Sequence, residues 1–152
     1  MAKPTFDGLY GRFMWNLSGN VGRNSPNLLA DVELVRYGYF CYSLNPKMSN
    51  PQLLPIIANM STYGGYDSDL QDVIDFHEQA RGGTQDGHVS AMPPGGIPGL
   101  GAGNYDANHI FLLVTLNNNM NMRDMKQWPR IDLAAESGPE ITRYAQTVFW
   151  GV

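Results

Sequence analysis

The chain has 152 residues, 43% of them hydrophobic and 16% charged, and carries a net charge of −4 at pH 7. Such a length suits one domain with a buried core, and this apolar fraction excludes a chain disordered throughout. The ten Lys and Arg residues are scattered and form no stripe, which argues against nucleic acid as a partner.

So low a charged fraction implies a surface covered largely by Asn, Ser, Thr, Gln and Gly. Cys41 is the single cysteine, so no intramolecular disulfide can form. No stretch approaches the roughly 18 apolar residues of a membrane span. The first twenty residues contain no signal-peptide-like apolar run. The expectation is synthesis in the cytoplasm, with delivery to the periplasm or outside by a specialised secretion system or by phage lysis.

In chain order, residues 1–20 carry aromatic side chains between glycines, as in "FDGLYGRFMW", and read as irregular or short extended structure over a core. From Leu28, the residues Val32, Val35, Tyr39 and Tyr42 recur at steps of three and four, which puts them on one helical face. Ser25 or Asn27 is the expected cap, Pro26 fits an early position, and Asp31 and Glu33 complement the positive end of the helix dipole. Asn45-Pro46 should end the helix, because a residue before proline is driven out of helical geometry. A connection with at most one helical turn follows.

The second helix is predicted in "YDSDLQDVIDFHEQARGG", with Ser68 and Gln71 spaced as a capping box and Gly82-Gly83 as the stop. Leu70, Val73, Ile74 and His77 share its buried face, and Phe76 widens it. Asp86-Gly87 is a turn signal, and residues 90–104 form a loop dominated by glycine and proline. A third helix is expected in "YDANHIFLLVTLNNN", capped by Asn104 or Asp106, with Ile110, Leu113 and Val114 buried; "LVTL" alone fits a strand equally well. Pro139 opens a fourth helix whose stripe is Ile141, Tyr144, Ala145 and Val148.

Two of these segments carry a resemblance. Val21, Gly22, Asn27, Asp31, Val32 and Val35 fill a V-G-x4-N-x3-D-V-x2-V pattern similar to the first-helix signature of bacterial and phage peptidoglycan-binding-like domains. "DVIDFHEQARGGTQDGHVS" resembles a second segment of that family, with Val73 and Phe76 at its helix positions, Asp86-Gly87 at its turn and Val89 as the next apolar anchor. His77 stands where the family has Gln, and Ser90 where it has glycine. The resemblance implies a mainly α fold: a compact three-helix bundle over 21–117, with an irregular N-terminal extension 1–20 and a C-terminal extension 118–152 holding an extra helix. All of it is read as a single domain, 1–152.

It further implies a non-catalytic module whose partner is peptidoglycan or a muropeptide. Tyr63 and Tyr66 flank a glycine pair before the second helix, where a ring face and a hydroxyl suit sugar or peptide recognition. Arg81, Asp86 and His88 flank the "GGTQDG" turn, and His77 lies at the edge of the buried face, which completes the candidate ligand-binding set. The Met-rich "NNNMNMRDMKQW" and the apolar "TVFWGV" fit an alternative, a structural or adaptor component or cargo of a phage tail or contractile, type VI-like secretion apparatus.

A third reading, a small cell-wall hydrolase, needs Cys41 paired with His77, His88 or His109. Cys41 sits in an aromatic helical segment with no catalytic signature around it, and the histidines lack the helix-face spacing of a zinc site. No cofactor is called for. The acids Asp67, Asp69, Asp72 and Asp75 read as a solvated face.

Overall fold

The computed structural model describes residues 4–9, 12–45, 49–82, 84–93, 96 and 111–150. Within them the fold is mainly helical, with two small antiparallel sheets. Strands β1 (Thr5–Leu9) and β2 (Arg12–Asn16) form a hairpin that pairs Phe6 with Trp15. Strand β3 (Val21–Gly22) pairs with the distant β4 (His88–Val89). The helices are α1 (Leu29–Ser43), α2 (Leu54–Ala58), α3 (Ser68–Arg81), α4 (Leu112–Arg123) and α5 (Pro139–Trp150), with a 3-10 turn at Ile131–Leu133.

Helix α1 is the hub: it packs against α4, α5 and α2, and every residue from Ala30 to Tyr39 is buried. The single apolar face expected from the sequence is therefore only part of the story, since a helix covered all round must also bury its polar positions. At Gly38 the backbones of α1 and α4 come so close that an added Cβ would lie 2.8 Å from the Leu116 Cβ. Only the absence of a side chain permits that approach.

Burial of Asp31, Glu33 and Arg36 inside α1 demands partners, because an unpaired buried charge is costly. Each finds them in the backbone of a different segment. Asp31 accepts the N–H groups of Ser18 and Gly19, both at 3.0 Å. Glu33 Oε2 accepts those of Glu140 and Ile141, both at 2.9 Å, and so caps the start of α5. Arg36 donates to the carbonyls of Ser61 at 3.0 Å and Gly64 at 3.3 Å, and pairs with Asp67 at 3.1 Å. Asp31 keeps its expected place in the first turn of α1, and both carboxylates in addition satisfy free donors elsewhere.

Capping is shifted too. Neither Ser25 nor Asn27 caps α1; Leu28 occupies that position in extended geometry with no side-chain bond. Helix α3 is capped by Asp67, whose Oδ1 accepts from Leu70 N–H at 2.9 Å, rather than by Ser68. Its C-terminal stop is Gly82, at φ +79°. Helix α1 stops at Ser43 before Pro46, and the connection beyond holds the one short helix α2.

Of the irregular or short extended structure expected over 1–20, the described residues show the extended form, as a regular hairpin. "LVTL" is helical, and α4 begins after Phe111; Asn104, Asp106, Ile110 and most of the loop 90–104 lie outside the described residues. On α5, Ile141 and Ala145 are buried as the stripe predicts, while Val148 is exposed. Three asparagine side chains act as surrogate backbone. Asn117 receives the Trp15 N–H at 2.8 Å and donates to its carbonyl at 2.9 Å; Asn16 does the same for Met92, both at 2.8 Å. Asn27 does so for Gly22. Part of the amide content expected on the surface is therefore in the interior.

Candidate functional site

Strand β3 and the Asp86-Gly87 turn meet as a compact unit. Val21 pairs with Val89 and Gly22 with His88, and Arg23 N–H donates to the Gly87 carbonyl at 2.9 Å. Gly22 sits at φ +137°, where a Cβ would be 2.3 Å from the Gly87 carbonyl oxygen, so this position accepts glycine alone. A two-residue sheet is marginal by itself. Helix α3 secures it with side chains.

Glu78 accepts the N–H groups of Gly87 at 2.7 Å and Asp86 at 3.2 Å. Burial, reinforced by Asp86, raises the Glu78 carboxyl above its ordinary range. Gln71 donates to the Gly87 carbonyl at 2.9 Å and to Asp75 at 2.8 Å, and accepts from the Tyr66 hydroxyl. Arg23 closes the ring on Asp75 at 2.7 Å.

Of the six residues singled out in the sequence, Arg81, Asp86 and His88 line one polar cavity of about 40 Å³, together with Glu78, Thr84 and Ser90. Its size suits a single small polar group, since a water molecule occupies about 30 Å³. His88 Nε2 lies 3.3 Å from Asp86 Oδ2. Tyr66 reaches the same unit only through Gln71.

Tyr63 is exposed, on a loop whose carbonyls Arg36 gathers, so the segment around the glycine pair is anchored to α1 rather than loose. His77 is no surface group. Its Nδ1 is 3.0 Å from the Tyr39 hydroxyl, its ring lies against those of Tyr39 and Tyr42, and burial lowers its pKa to about 4. It is a neutral core histidine at neutral pH, which removes it from the ligand-binding set.

Cys41 is buried, and desolvation pushes its thiol up to about 11. Since the thiolate is the reactive form, this cysteine is inert, which counts against the hydrolase reading. His109 lies outside the described residues. Among the described residues no three His, Cys, Asp or Glu side chains are placed to share a metal ion, and no helix is long and apolar enough to cross a membrane.

Two further clefts lie outside the candidate ligand-binding set, the second of them built in part from the Met-rich segment 117–128. An open groove of about 400 Å³ lies between α2 and α3, with Ile56 and Phe76 as apolar walls and Asp72, Asp75, Asn59 and Gln79 as polar ones. Its α3 residues follow a second helical stripe, opposite the buried one, and an aromatic within an acidic face was the available signal. A second cleft, of about 180 Å³, is bounded by Tyr37 of α1, the end of α4 and the segment 124–136. Apart from Tyr37 its lining comes from the single stretch Met120 to Glu136. No family model, curated protein or solved structure matches this chain.

Proposed function

We propose that the chain is a non-catalytic module of bacterial or phage origin that binds cell-wall peptidoglycan. The observation carrying this reading is the union of the two sequence segments that resemble the peptidoglycan-binding-like family. Val21-Gly22 and His88-Val89 are paired, and Glu78 and Gln71 lock that pair onto α3. In this reading α1, α3 and α4 are the three helices of the family's unit, and β1, β2 and α5 are additions to it.

A glycopeptide lies in the open α2–α3 groove, whose amides and carboxylates offer planar hydrogen-bonding partners beside an aromatic wall. The groove adjoins the turn through Asp75, which lines one and holds Arg23 of the other. Sedimentation with purified sacculi tests the reading. The wild-type chain should co-sediment at low and moderate salt, and Asp72→Lys/Gln79→Lys, altered at two exposed positions, should not. No enrichment of the wild type removes the ligand assignment.

A second reading, an adaptor, structural part or cargo of a phage tail or type VI-like apparatus, is favoured by one observation. Met122, Met125, Leu133 and Val148 are all exposed within the C-terminal extension. Light scattering after size exclusion would show a stable assembly for this reading and a monomer against it.

A further inference from the structure

The 180 Å³ cleft beside Tyr37 shares no residue with the turn or with the α2–α3 groove. Its walls are held rigidly. Arg123 lies over the rings of Phe40 at 5.1 Å and Tyr37 at 5.6 Å, donates to the Tyr37 hydroxyl at 3.2 Å and pairs with Glu136 at 2.7 Å. Arg130 is gripped by the buried Asp132 through two bonds, of 2.9 and 2.6 Å, and lies over Phe149 at 5.2 Å. Between them the Pro129 carbonyl accepts the Trp15 indole N–H at 3.1 Å, which pins the segment to the core.

Arg123 and Arg130 are already paired with Glu136 and Asp132, and Asp124 is a further carboxylate on the rim, so there is no net positive field to draw in an anion. What the rim offers is an acceptor, a donor–acceptor amide and a half-buried ring. Asp124 and Gln127 are exposed, and their side chains make no hydrogen bond to any described residue; Trp128 stands next to them. At about 180 Å³ the space is below the roughly 300 Å³ at which drug-sized pockets begin, so it takes one ring and not a chain.

We infer that this cleft binds a single neutral pyranose ring, with its C–H face on Trp128 and its hydroxyls on Asp124 and Gln127. An indole face carries negative quadrupole charge and attracts polarised C–H groups. Paired hydroxyls match a carboxylate and an amide, which together supply acceptors and donors in fixed planes. The Arg123 and Arg130 walls are already pinned, so the ordering required on binding is confined to the Asp124 and Gln127 side chains. The inference does not rest on the cell-wall reading: a chain that ignores sacculi yet shows the response below keeps this site.

The test is an NMR titration of the ¹⁵N-labelled full chain with methyl β-glucopyranoside and with N-acetylglucosamine, alongside sodium acetate and methylammonium chloride. Saturable shifts of the Trp128 indole N–H and the Gln127 side-chain amide are expected with at least one sugar. In Asp124→Ala/Gln127→Ala, whose circular dichroism should match the wild type, the affinity read from Trp128 should be about tenfold lower. Absence of saturation with both sugars overturns the assignment, as does unchanged affinity in the variant or tighter binding of either ion. The wild-type titration decides by itself if the variant does not fold.

Discussion

The β3–β4 turn and the β1–β2 hairpin are both small antiparallel sheets, yet the turn is held by side-chain hydrogen bonds while the hairpin adds a ring cluster to the bonds that Asn117 makes to Trp15. Around the turn, Glu78, Gln71 and Asn27 supply directional bonds to backbone groups. Around the hairpin, Phe6 and Trp15 lie in a ring cluster, Phe6–Trp15 at 5.5 Å, Trp15–Phe149 at 6.1 Å and Trp15–Tyr144 at 6.4 Å. Directional bonds fix a geometry that a two-residue sheet cannot hold alone. Aromatic area fixes position strongly but tolerates small changes of shape.

The difference predicts a graded response to substitution. Trp15→Ala, which empties the ring cluster, should cost about 3–5 kcal/mol in urea unfolding followed by circular dichroism. Gly22→Ala should cost about 2–3 kcal/mol, since its Cβ meets the Gly87 carbonyl and its backbone is left-handed. Glu78→Gln should cost about 1–2 kcal/mol by losing one of two charge-assisted bonds to the turn. A Glu78→Gln loss equal to that of Trp15→Ala would erase the distinction between the two sheets.

Acidity sharpens the comparison further. Burial raises Asp31 to about 6 against an ordinary 3.8, so its contribution to stability is complete below about pH 4 and is lost as pH rises through 6. His77, lowered to about 4, contributes in the opposite sense: its share is present above about pH 6.5 and is lost as pH falls through 4. Asp31→Asn should therefore lose stability more steeply than the wild type on acidification from pH 6.5 to 4. His77→Asn should lose it less steeply. Chemical denaturation at several pH values reads both slopes, and parallel slopes would show that neither group titrates as burial dictates. Smallest of all, His88→Ala should change stability by no more than about 0.5 kcal/mol, because the side chain is partly exposed at the rim of the polar cavity.

Much of the helical framework was legible because periodicity is local. The buried face of α3, the stop at Ser43 before Pro46 and the opening of α5 at Pro139 all follow from residues within a few positions of one another. The short extended character of 1–20 was legible only as one of two readings, because Met14, Trp15 and Asn16 are buried in succession, so β2 is covered on both faces and shows no alternation. Capping of α3 was misplaced by one residue, since Asp67 and Ser68 are equally good acceptors by type.

The candidate site was legible in part. Arg81, Asp86 and His88 adjoin one turn signal, and the structure gathers them. His77 misled because a polar residue at a helix edge looks the same whether its partner is solvent or the hydroxyl of Tyr39, far away in the chain. The roles of Glu33, Arg36 and Asn117 were hidden for the same reason: each acts on backbone remote from it in sequence.

Asn117 has an effect that reaches beyond folding. The Trp15 N–H and carbonyl that it occupies are the groups through which a neighbouring molecule would zip onto the hairpin, and an aromatic-rich strand is prone to such recruitment. With a side-chain amide seated there, one rung of that ladder is already taken. The hairpin's edge is thus closed at that rung by a residue whose visible task is to tie a helix to a strand.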